Sequence, residues 1–505
     1  MATLILFALT RPLSLPDEGR YSDIGRWMFI SGDWLVPRLN GIPFFHKPPL
    51  LYWLEAGSFQ LFGVHVWAAR LIPIMHAFIM LVGIFLGVKE VWGSHTAGKV
   101  TLVLGTSIGF LIGGQYISHD FLVATWITIS IGFFALALIP EWGINIRLAR
   151  LGFLSCALGF LSKGLIGVVL PCLVILIWLA IIGKLHKALK LPWLSGLAIF
   201  FFTILPWLIF LEGRFPGYLH YFIVEQHFSR FTGNSFNNQQ AWWFYLPVIS
   251  IYSFPWALFV IWLAARGLRR LFLEKSRFQI TDPFTTLAWV WLLVILIFFS
   301  IPKSKLMGYI LPTIAPMALL GVLSWNSIIK DKDKTRKLFN LACFSALVLS
   351  FGANSLATHN SLKKSNLDIA KILSCKANTA KDIYMVDSYE YDIPFIANLQ
   401  NPVYIVLNWD KARKDARDDW KRTFFEGANF EPNTDKILQP IEALLDVSES
   451  SDAWLISPAG FNQIDLSNKW QIIFKSRTSW LWKVGTSKAG SSVGNSFLSL
   501  VDCPS

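Results

Sequence analysis

Charged residues are scarce in this chain. They make up 15% of its 505 residues, whereas hydrophobic residues make up 54%. A soluble globular protein is usually about 25% charged. The mean hydropathy of +0.49 points the same way. The scarcity of charge over this length therefore excludes an ordinary soluble enzyme and predicts a protein that lies mostly within a membrane.

Cysteine, internal repetition and strict alternation of polar and apolar residues are also scarce or missing. Five cysteines without a Cys-x-x-Cys pair show no zinc or redox motif. Continuous rather than alternating apolar segments disfavour a membrane barrel, and the lack of a visible repeat disfavours an inverted-repeat transporter. The predicted fold class is an all-α polytopic membrane protein.

Apolar runs of about 15–25 residues predict membrane spans along the first two thirds of the chain. Residues 1–13 look like the end of a further span, because the apolar run 1–10 is too short to cross a bilayer; either the first helix is truncated or the start lies upstream. The run lacks the basic region of a signal peptide. We expect about 11 to 13 transmembrane helices in total, including spans at 68–89, 96–114, 119–139, 149–162, 164–182, 192–212, 243–266, 284–301, 306–326 and 338–356.

Basic loops between these spans set the orientation, because cytoplasmic loops of membrane proteins are rich in Lys and Arg. The loops fall on one side and carry Lys89 and Lys99, Arg147 and Arg150, Lys184 to Lys190, Arg266 to Arg277, and Lys330 to Lys337. The excess positive charge, +13 for the whole chain, is therefore attributed to the loops that orient the protein in the membrane. We predict no nucleic-acid partner. The first loop, 14–66, and the tail from about 358 then face the opposite, non-cytoplasmic side.

The chain is thus predicted to consist of a transmembrane domain, 1–357, and an external tail, 358–505, of soluble composition. Strand-like runs at 383–386, 403–406, 453–456 and 480–484 predict a small α/β domain in the tail. Cys375 and Cys503 both lie in this tail and could pair in an oxidising compartment. The other three cysteines lie in spans, where a thiol is usually an inert core residue.

The first loop, 14–66, begins with two adjacent carboxylates, Asp17 and Glu18, followed by Arg20 and Tyr21. One interpretation is the first turn of a helix, where acidic residues suit the helix dipole. The other interpretation is a catalytic role. The amphipathic stretch that follows should lie along the membrane surface and hold the carboxylates at headgroup depth. Asp17 and Glu18 are therefore candidate catalytic residues.

Two further candidates come from His46-Lys47-Pro48-Pro49 and from Asp120. The prolines restrict the backbone around Lys47, which can aim its ammonium at an anion; binding to lipid headgroups is the alternative. Asp120 stands at the external mouth of a span, where an unpaired carboxylate is costly. A functional role and a helix cap are both open for Asp120, and the two are compatible.

Several cations break the orientation rule by facing outward. Converging cations beside an external membrane face suit a lipid phosphate, which Arg binds bidentately and Lys as a point charge. Cations and carboxylates together fit group transfer from a phosphate leaving group: the cations stabilise the departing charge, and a carboxylate accepts the proton of an acceptor hydroxyl. An ionised phosphate acceptor would need no base, which leaves the acidic pair to orient an amino sugar, bind a metal or steady an oxocarbenium-like centre. The outward cations are Lys163, Arg230, Lys303 and Lys305.

The order of motifs resembles the aminoarabinose transferase branch of the GT-C glycosyltransferases, which are relatives of the protein O-mannosyltransferases. The resemblance covers about 1–330 well and the tail loosely. It rests on Asp17-Glu18-x-Arg20-Tyr21, Lys47-Pro48-Pro49-Leu50-Leu51-Tyr52-Trp53, Phe160-Leu161-Ser162-Lys163-Gly164, Glu225-Gln226-His227-Phe228-Ser229-Arg230-Phe231 and Ser304-Lys305-Leu306-x-x-Tyr309.

This resemblance implies a GT-C fold and an enzyme of the inner membrane that acts on the periplasmic face. It would move aminoarabinose or a related sugar from undecaprenyl phosphate to lipid A or another envelope acceptor. Asp17 and Asp120 match the family's acidic positions. Lys47 matches the lysine that holds the donor phosphate, with Arg230 as a second clamp. The remaining pocket positions match Arg20, Tyr21, Lys163 and Tyr309.

His46 departs from the family, which commonly has Glu before Lys-Pro-Pro, a residue linked to a metal near the donor site. A lone His can ligate zinc but more often forms hydrogen bonds, so we expect no required cofactor and leave a divalent metal open. Two other functions also stay open: a polyprenyl-phosphate-hexose transferase acting on protein or polysaccharide, and a lipid-linked sugar transporter. A transporter would need ionisable groups along a path through the bilayer, whereas these groups collect at one face.

Overall fold

The computed structural model describes residues 1–139, 143–229, 238–272, 282–328, 332–376, 382–415, 418–448, 451–461 and 469–485. They form two compact units. The first unit comprises Met1–Ala8, Lys47–Leu51 and Arg70–Ser355, and the second comprises Leu9–His46, Tyr52–Ala69 and Leu356–Ser505. The second unit thus combines most of the first loop with the tail, whereas the sequence analysis grouped that loop with the spans. The domain boundary at 357 stays a prediction.

Helices make up the first unit, because a backbone within a bilayer must satisfy its hydrogen bonds internally. Six helices in the described ranges are long and apolar enough to cross a membrane: Val66–Thr106, His119–Leu138, Trp193–Arg214, Pro283–Ser300, Met307–Ile328 and Arg336–Lys364. The polytopic all-α fold is therefore confirmed. The other helices before the tail are Ala2–Thr10, Asp17–Ser31, Leu50–Phe62, Ile108–Gly113, Ile146–Lys163, Ile166–Ile181, His186–Leu189, Tyr218–His220, the π-helix Tyr221–Ser229, Tyr245–Tyr252 and Trp256–Phe272.

Some helices differ from the predicted spans. The span predicted at 68–89 and the first part of the span predicted at 96–114 lie in one helix, Val66–Thr106. The backbone of this helix has non-helical dihedral angles at Gly93. The span predicted at 243–266 is divided into two helices around Pro255, since proline has no N–H to continue a helix. The last predicted spans correspond to a 3₁₀ turn, Met307–Thr313, that continues as Ile314–Ile328, and to the long helix Lys332–Lys364.

The helices Ile146–Lys163 and Ile166–Ile181 of the first unit approach each other through two glycines. A Cβ added at Gly167 would lie 2.5 Å from the carbonyl oxygen of Gly159 and 2.7 Å from its Cα. Small residues permit this close backbone approach, which is a common form of helix packing in membranes. Elsewhere in the unit the core includes Trp256, Trp325 and Phe339, whose ring centroids lie 5.0 to 5.7 Å apart.

The second unit contains a hairpin and a six-stranded sheet. The hairpin joins β1 (Arg38–Leu39) to β2 (Ile42–Pro43). The sheet has the order β5-β4-β3-β6-β8-β7, with parallel pairing from β5 to β6 and antiparallel pairing from β6 to β7. Its strands are β3 (Asp382–Val386), β4 (Tyr404–Val406), β5 (Leu438–Gln439), β6 (Ala453–Pro458), β7 (Trp470–Lys475) and β8 (Ser479–Val484).

The α/β character of the tail is confirmed. The four predicted strands correspond to β3, β4, β6 and β8, whereas β5 has only two residues and carries little pattern. Tail helices are Leu367–Lys376, Asp392–Ile396, Trp409–Asp415, Trp420–Phe430, the 3₁₀ helix Pro432–Ile437 and Ala443–Asp446. Cys375 is disulfide-bonded, but Cys503 lies outside the described residues, so their pairing stays a prediction.

Within the second unit the hairpin of the first loop is held by the tail. Its turn, Asn40-Gly41, has positive φ at both residues, 54° and 79°, as a two-residue type I′ turn requires. The Asn40 side chain donates to the carbonyl of Val403 at 2.7 Å and accepts from its N–H at 2.8 Å. Arg38 pairs with Glu431 at 2.6 Å. The polar first loop is therefore an ordered part of this unit.

We expect the substitution Gly167→Ala to destabilise the protein, because the new methyl group meets the backbone at Gly159 and such overpacking costs about 1–3 kcal/mol. The measurement is the midpoint of thermal unfolding of purified protein in detergent. Gly98→Ala is the matched control, since a Cβ there has no neighbour within 4 Å; its midpoint should stay unchanged or rise slightly. Equal midpoints for the two variants would contradict the close approach.

Candidate functional site

In the first unit, Asp120 and Lys163 form an ion pair at the ends of two membrane helices. The Lys163 ammonium donates to the Asp120 carboxylate, and the two side chains keep 10% and 19% of their surface exposed. Next to them, the Nδ1 atom of His119 lies 2.7 Å from the carbonyl oxygen of Ser162. The two predicted candidates are therefore in direct contact, and a second bond joins the same two helix ends.

Helix electrostatics explains why this pair forms where it does. Asp120 lies in the first turn of the His119–Leu138 helix, and Lys163 lies in the last turn of the Ile146–Lys163 helix. The N-terminus of a helix favours a negative charge and the C-terminus a positive one. Each side chain therefore suits its own helix end before the two meet.

The 3₁₀ turn Met307–Thr313 covers this pair. The ammonium of Lys163 lies 4.1 Å from the centroid of the Tyr309 ring, within the range of a cation–π interaction. Gly308 lies against the carboxylate of Asp120, with no room for a side chain between them. The sequence analysis singled out Tyr309 but missed Gly308, which occupies an unassigned position of the same motif.

Lys303 and Lys305, the other cations of this segment, have different environments. Lys305 is buried, and its ammonium donates to the carbonyl oxygens of Pro302 and, at 3.2 Å, Gln240. Burial lowers the pKa of Lys305. Lys303 is exposed, and its carbonyl accepts from the N–H of Gln240 at 3.0 Å. Lys305 therefore holds backbone together, and the two lysines are not equivalent candidates for a substrate phosphate.

In the second unit, Asp17 and Glu18 have contrasting surroundings although they are adjacent. The Glu18 side chain is fully buried and accepts two hydrogen bonds from Arg11, at 2.5 and 2.8 Å, and one from the Ser14 N–H at 2.7 Å. Asp17 keeps 36% of its side chain exposed and pairs with Arg20 at 2.5 Å. Asp17 is therefore the carboxylate that a substrate can reach, whereas Glu18 fixes the start of the Asp17–Ser31 helix. Arg11 had no signal in the sequence analysis.

Aromatic rings surround Arg20. Its guanidinium carbon lies 5.0 Å from the Tyr21 ring centroid and 5.8 Å from that of Tyr391. The tail thus contributes a ring to the first-loop group, which the sequence analysis did not predict. Stacked rings and the Asp17 carboxylate together restrict the orientation of Arg20.

His46 also contacts the tail within this unit. Its Nε2 atom lies 3.4 Å from Glu426 Oε2, and its ring stacks on Phe44 with centroids 4.8 Å apart. Glu426 in turn accepts from Arg422 at 2.5 Å. Zinc sites usually offer three or four ligands. Within the ranges that the structure describes, no group of three His, Cys, Asp or Glu side chains could hold a metal, so the donor set around His46 does not fit the metal that the resemblance left open.

The two remaining phosphate-binding candidates are less defined. Lys47 belongs to the first unit and is half-buried between His46 and Pro48. Arg230 lies outside the described residues, so its proposed clamping role stays a prediction. The structure thus brings together Asp120, Lys163 and Tyr309 in one unit, and Asp17, Arg20 and Tyr21 in the other.

Glu55 is a buried carboxyl group that the sequence analysis overlooked. It lies on the Leu50–Phe62 helix with no exposed surface, and neither carboxyl oxygen has a hydrogen-bond partner among the described residues. Burial, and secondly the charge of Glu18, raise the pKa of Glu55 well above its ordinary value of 4.5. The Glu55 carboxyl group therefore favours its neutral, protonated form. The apolar run around it, Leu50-Leu51-Tyr52-Trp53-Leu54, is the signal that could have indicated its burial.

Comparison with known proteins gives a consistent family. The family described as dolichyl-phosphate-mannose-protein mannosyltransferase matches residues 16–222. The undecaprenyl phosphate-alpha-4-amino-4-deoxy-L-arabinose arabinosyl transferase of Aeromonas hydrophila is 30% identical over 375 residues, 72% of this chain and 66% of that protein. The transferase of the same name from Shewanella sediminis is 32% identical over 349 residues, 67% of this chain and 61% of that protein. The chain thus spans less than two thirds of the length of these relatives.

A solved structure extends the likeness to the fold. The crystal structure of ArnT from Cupriavidus metallidurans bound to undecaprenyl phosphate matches with a TM-score of 0.80 at 20% identity, over 97% of each chain. This likeness confirms the predicted GT-C fold. Asp17, Lys47, Asp120 and Lys163 all lie within the range matched by the mannosyltransferase family.

We expect the substitution Glu55→Gln to stabilise the protein increasingly as pH rises. The folded chain holds the Glu55 proton more tightly than the unfolded chain, so the wild type loses stability from about pH 4.5 upward until the pH passes the raised pKa of the folded state. The neutral glutamine avoids this loss. Thermal unfolding midpoints of both proteins across pH 4 to 9 in roughly unit steps test this, since each unit of pKa shift corresponds to about 1.4 kcal/mol.

Glu442→Gln is the matched control, because it removes one carboxylate at an exposed position. A difference between Glu55→Gln and the wild type that is constant with pH, or shrinks as pH rises, would contradict the neutral state of Glu55.

Proposed function

We propose that this chain, which belongs to the GT-C glycosyltransferases and is similar to the aminoarabinose transferases, moves a sugar from undecaprenyl phosphate to an envelope acceptor. The observation that carries the proposal is the Asp120–Lys163 pair under the Tyr309 ring, in a chain similar to undecaprenyl-phosphate-dependent transferases. Ionisable groups at membrane-helix ends are costly and usually functional.

The sugar is aminoarabinose or a related sugar, and the acceptor is lipid A or another envelope glycan. The relatives' printed names include undecaprenyl phosphate and 4-amino-4-deoxy-L-arabinose, which supports the donor. The acceptor is inferred from the family resemblance. A multi-pass protein of this type would reside in the bacterial inner membrane, with its site on the periplasmic side, opposite the basic loops.

The reaction is a direct displacement with inversion at the anomeric carbon. An acceptor oxygen forms the new bond to this carbon while the bond from the carbon to the donor phosphate oxygen breaks, and the electron pair leaves with the phosphate. Lys47, Lys163 and Arg230 would stabilise that departing charge. When the acceptor is a hydroxyl group its proton passes to a carboxylate, for which Asp17 is the accessible candidate; an ionised phosphate acceptor transfers no proton.

Asp120 and Glu18 have supporting roles in this scheme. Asp120 orients the Lys163 ammonium to which it is bonded. Glu18 is paired with Arg11 and keeps Asp17 at the start of its helix. Arg20 and Tyr21 would contact the substrate beside Asp17. No cofactor takes part in the proposed displacement.

A second candidate within the same class is a hexosyltransferase that acts on protein or polysaccharide, and the match to the mannosyltransferase family favours it. The two candidates differ in sugar and acceptor but share the leaving group. Offering polyprenyl-phosphate pentoses and hexoses in parallel to the same purified protein separates them, and a lipid A mass spectrum with and without the protein identifies the acceptor.

We expect Asp17→Asn to reduce sugar transfer about 100-fold or more, because the amide cannot accept a proton or carry charge in the transition state. The measurement is turnover of radiolabelled undecaprenyl-phosphate aminoarabinose with lipid A by purified protein. The amide can still bond Arg20, so the unfolding midpoint should be unchanged.

Asp368→Asn, at an exposed carboxylate of a tail helix, is the control and should keep full turnover. Wild-type turnover in Asp17→Asn would overturn the catalytic role of Asp17. Complete loss of wild-type transfer in EDTA, restored by a divalent metal, would overturn the proposed cofactor independence. Movement of the labelled lipid across vesicles without any transfer product would favour a transporter.

We expect Lys47→Ala to raise the KM for the lipid donor about tenfold while kcat falls less, since the lost ammonium contacts the phosphate already in the bound state. Steady-state kinetics against donor concentration test this, with Lys371→Ala, at an exposed lysine of the tail, as the control. An unchanged KM in Lys47→Ala would reject the phosphate-binding role.

A further inference from the structure

One short element of the first unit, the 3₁₀ turn Met307–Thr313, contacts both members of the Asp120–Lys163 pair. Two adjacent residues of the turn contact groups of opposite charge. Gly308 lies against the carboxylate of Asp120, and the Tyr309 ring covers the ammonium of Lys163. The turn therefore sets the geometry of the pair from outside the two helices that carry it.

The space at Gly308 decides where the Asp120 carboxylate lies. A Cβ added at Gly308 would lie 2.8 Å from Asp120 Cγ, 3.1 Å from its Cβ, and closer still to Oδ2. Real Cβ atoms are essentially never found within 3.0 Å of a neighbour. Any larger residue at this position must therefore displace the carboxylate or the turn.

The turn itself has little freedom to move. The Tyr309 ring packs on Phe299 with centroids 5.7 Å apart. Before the turn, Lys305 bonds two backbone carbonyls, and Ser304 forms an antiparallel bridge with Gln239. Within the turn, Leu311 closes on Gly113, where a Cβ would lie 3.3 Å from a Leu311 methyl carbon. A methyl group at Gly308 would thus be accommodated mainly by movement of the Asp120 side chain.

We propose that Gly308 is a positioning residue, which sets the Asp120 carboxylate in the place that transfer requires. This inference rests on the proposed function, in which Asp120 orients Lys163 toward the departing phosphate. Gly308 itself contacts no reacting atom; it acts through the absence of a side chain. A displacement of about 1 Å at a reacting group can cost roughly 100-fold in rate.

The first experiment measures kcat and KM of Gly308→Ala with the radiolabelled donor. We expect kcat to fall about 100-fold while the KM for the donor changes little. The matched control is Gly132→Ala, on the same helix as Asp120, where a Cβ has no neighbour within 4 Å; it should keep wild-type kinetics. Wild-type kcat in Gly308→Ala would overturn the proposal.

The second experiment separates positioning from general damage to the fold. Gly308→Ala is combined with Asp120→Ala, which removes the carboxylate that lies closest to the new methyl group and leaves a Cβ–Cβ distance of 3.1 Å. The thermal midpoint and any residual turnover should then be the same with and without Gly308→Ala. Equal losses in both backgrounds, or parallel losses of kcat and KM, would assign Gly308 a merely structural role and reject the proposal.

Folding decides the remaining case. If Gly308→Ala alone does not fold, recovery of folding in the Asp120→Ala background supports the proposal and failure to recover rejects it. Failure of the proposed function looks different: the wild type itself would then show no sugar transfer. Full transfer by Asp120→Ala alone, with an active wild type, would reject only the role of Asp120 and with it the positioning role of Gly308.

Discussion

The ion pair between Asp120 and Lys163 is the interaction on which the membrane unit depends. An isolated charge at this depth is expensive, and pairing at complementary helix ends removes most of that cost. The pair joins the His119–Leu138 and Ile146–Lys163 helices and receives the 3₁₀ turn Met307–Thr313 on its outer side. Packing around the pair is therefore inseparable from its chemistry. A substitution in the turn changes the surroundings of both charges, and loss of either charge removes the ion-pair partner of the other.

The second unit follows a different rule, in which buried polar side chains fix the first loop. Glu18 is bonded to Arg11, Asp23 to Arg26 at 2.8 Å, and Asn40 to the backbone at Val403. The side chains that make these contacts are buried. Asp17, which is next to Glu18, keeps 36% of its side chain exposed. The adjacent carboxylates have unlike environments, since neighbouring positions on a helix are rotated by about 100° around its axis. A loop held by internal hydrogen bonds can keep a carboxylate oriented without burying it.

Each unit holds side chains that suit a part of the proposed sugar transfer from a lipid phosphate. Cations suit the leaving group, and a carboxylate suits the acceptor or the developing charge on the sugar. His46, the departure from the family pattern, pairs with Glu426 instead of assembling a metal site in the described chain. In the proposed displacement, the rate depends on where these side chains are placed. Gly308 is significant for that reason. In our proposal it sets the position of the Asp120 carboxylate, although it has no side chain that could take part in the reaction.

The amino-acid sequence by itself determined the membrane fold and most of the candidate residues. Apolar runs, basic loops and isolated charged residues are local properties, and they indicated the helical fold, four tail strands, and Asp17, Lys47, Asp120 and Lys163 as candidates. The family resemblance added Tyr309. Only the tertiary structure decided which candidates meet. It separated Glu18 from Asp17, bound Lys305 to backbone carbonyls, and revealed Arg11, Glu55 and Gly308. The role of Gly308 depends on a contact with Asp120, which is far away in the chain, and the lack of space at such a contact leaves no local pattern in the sequence.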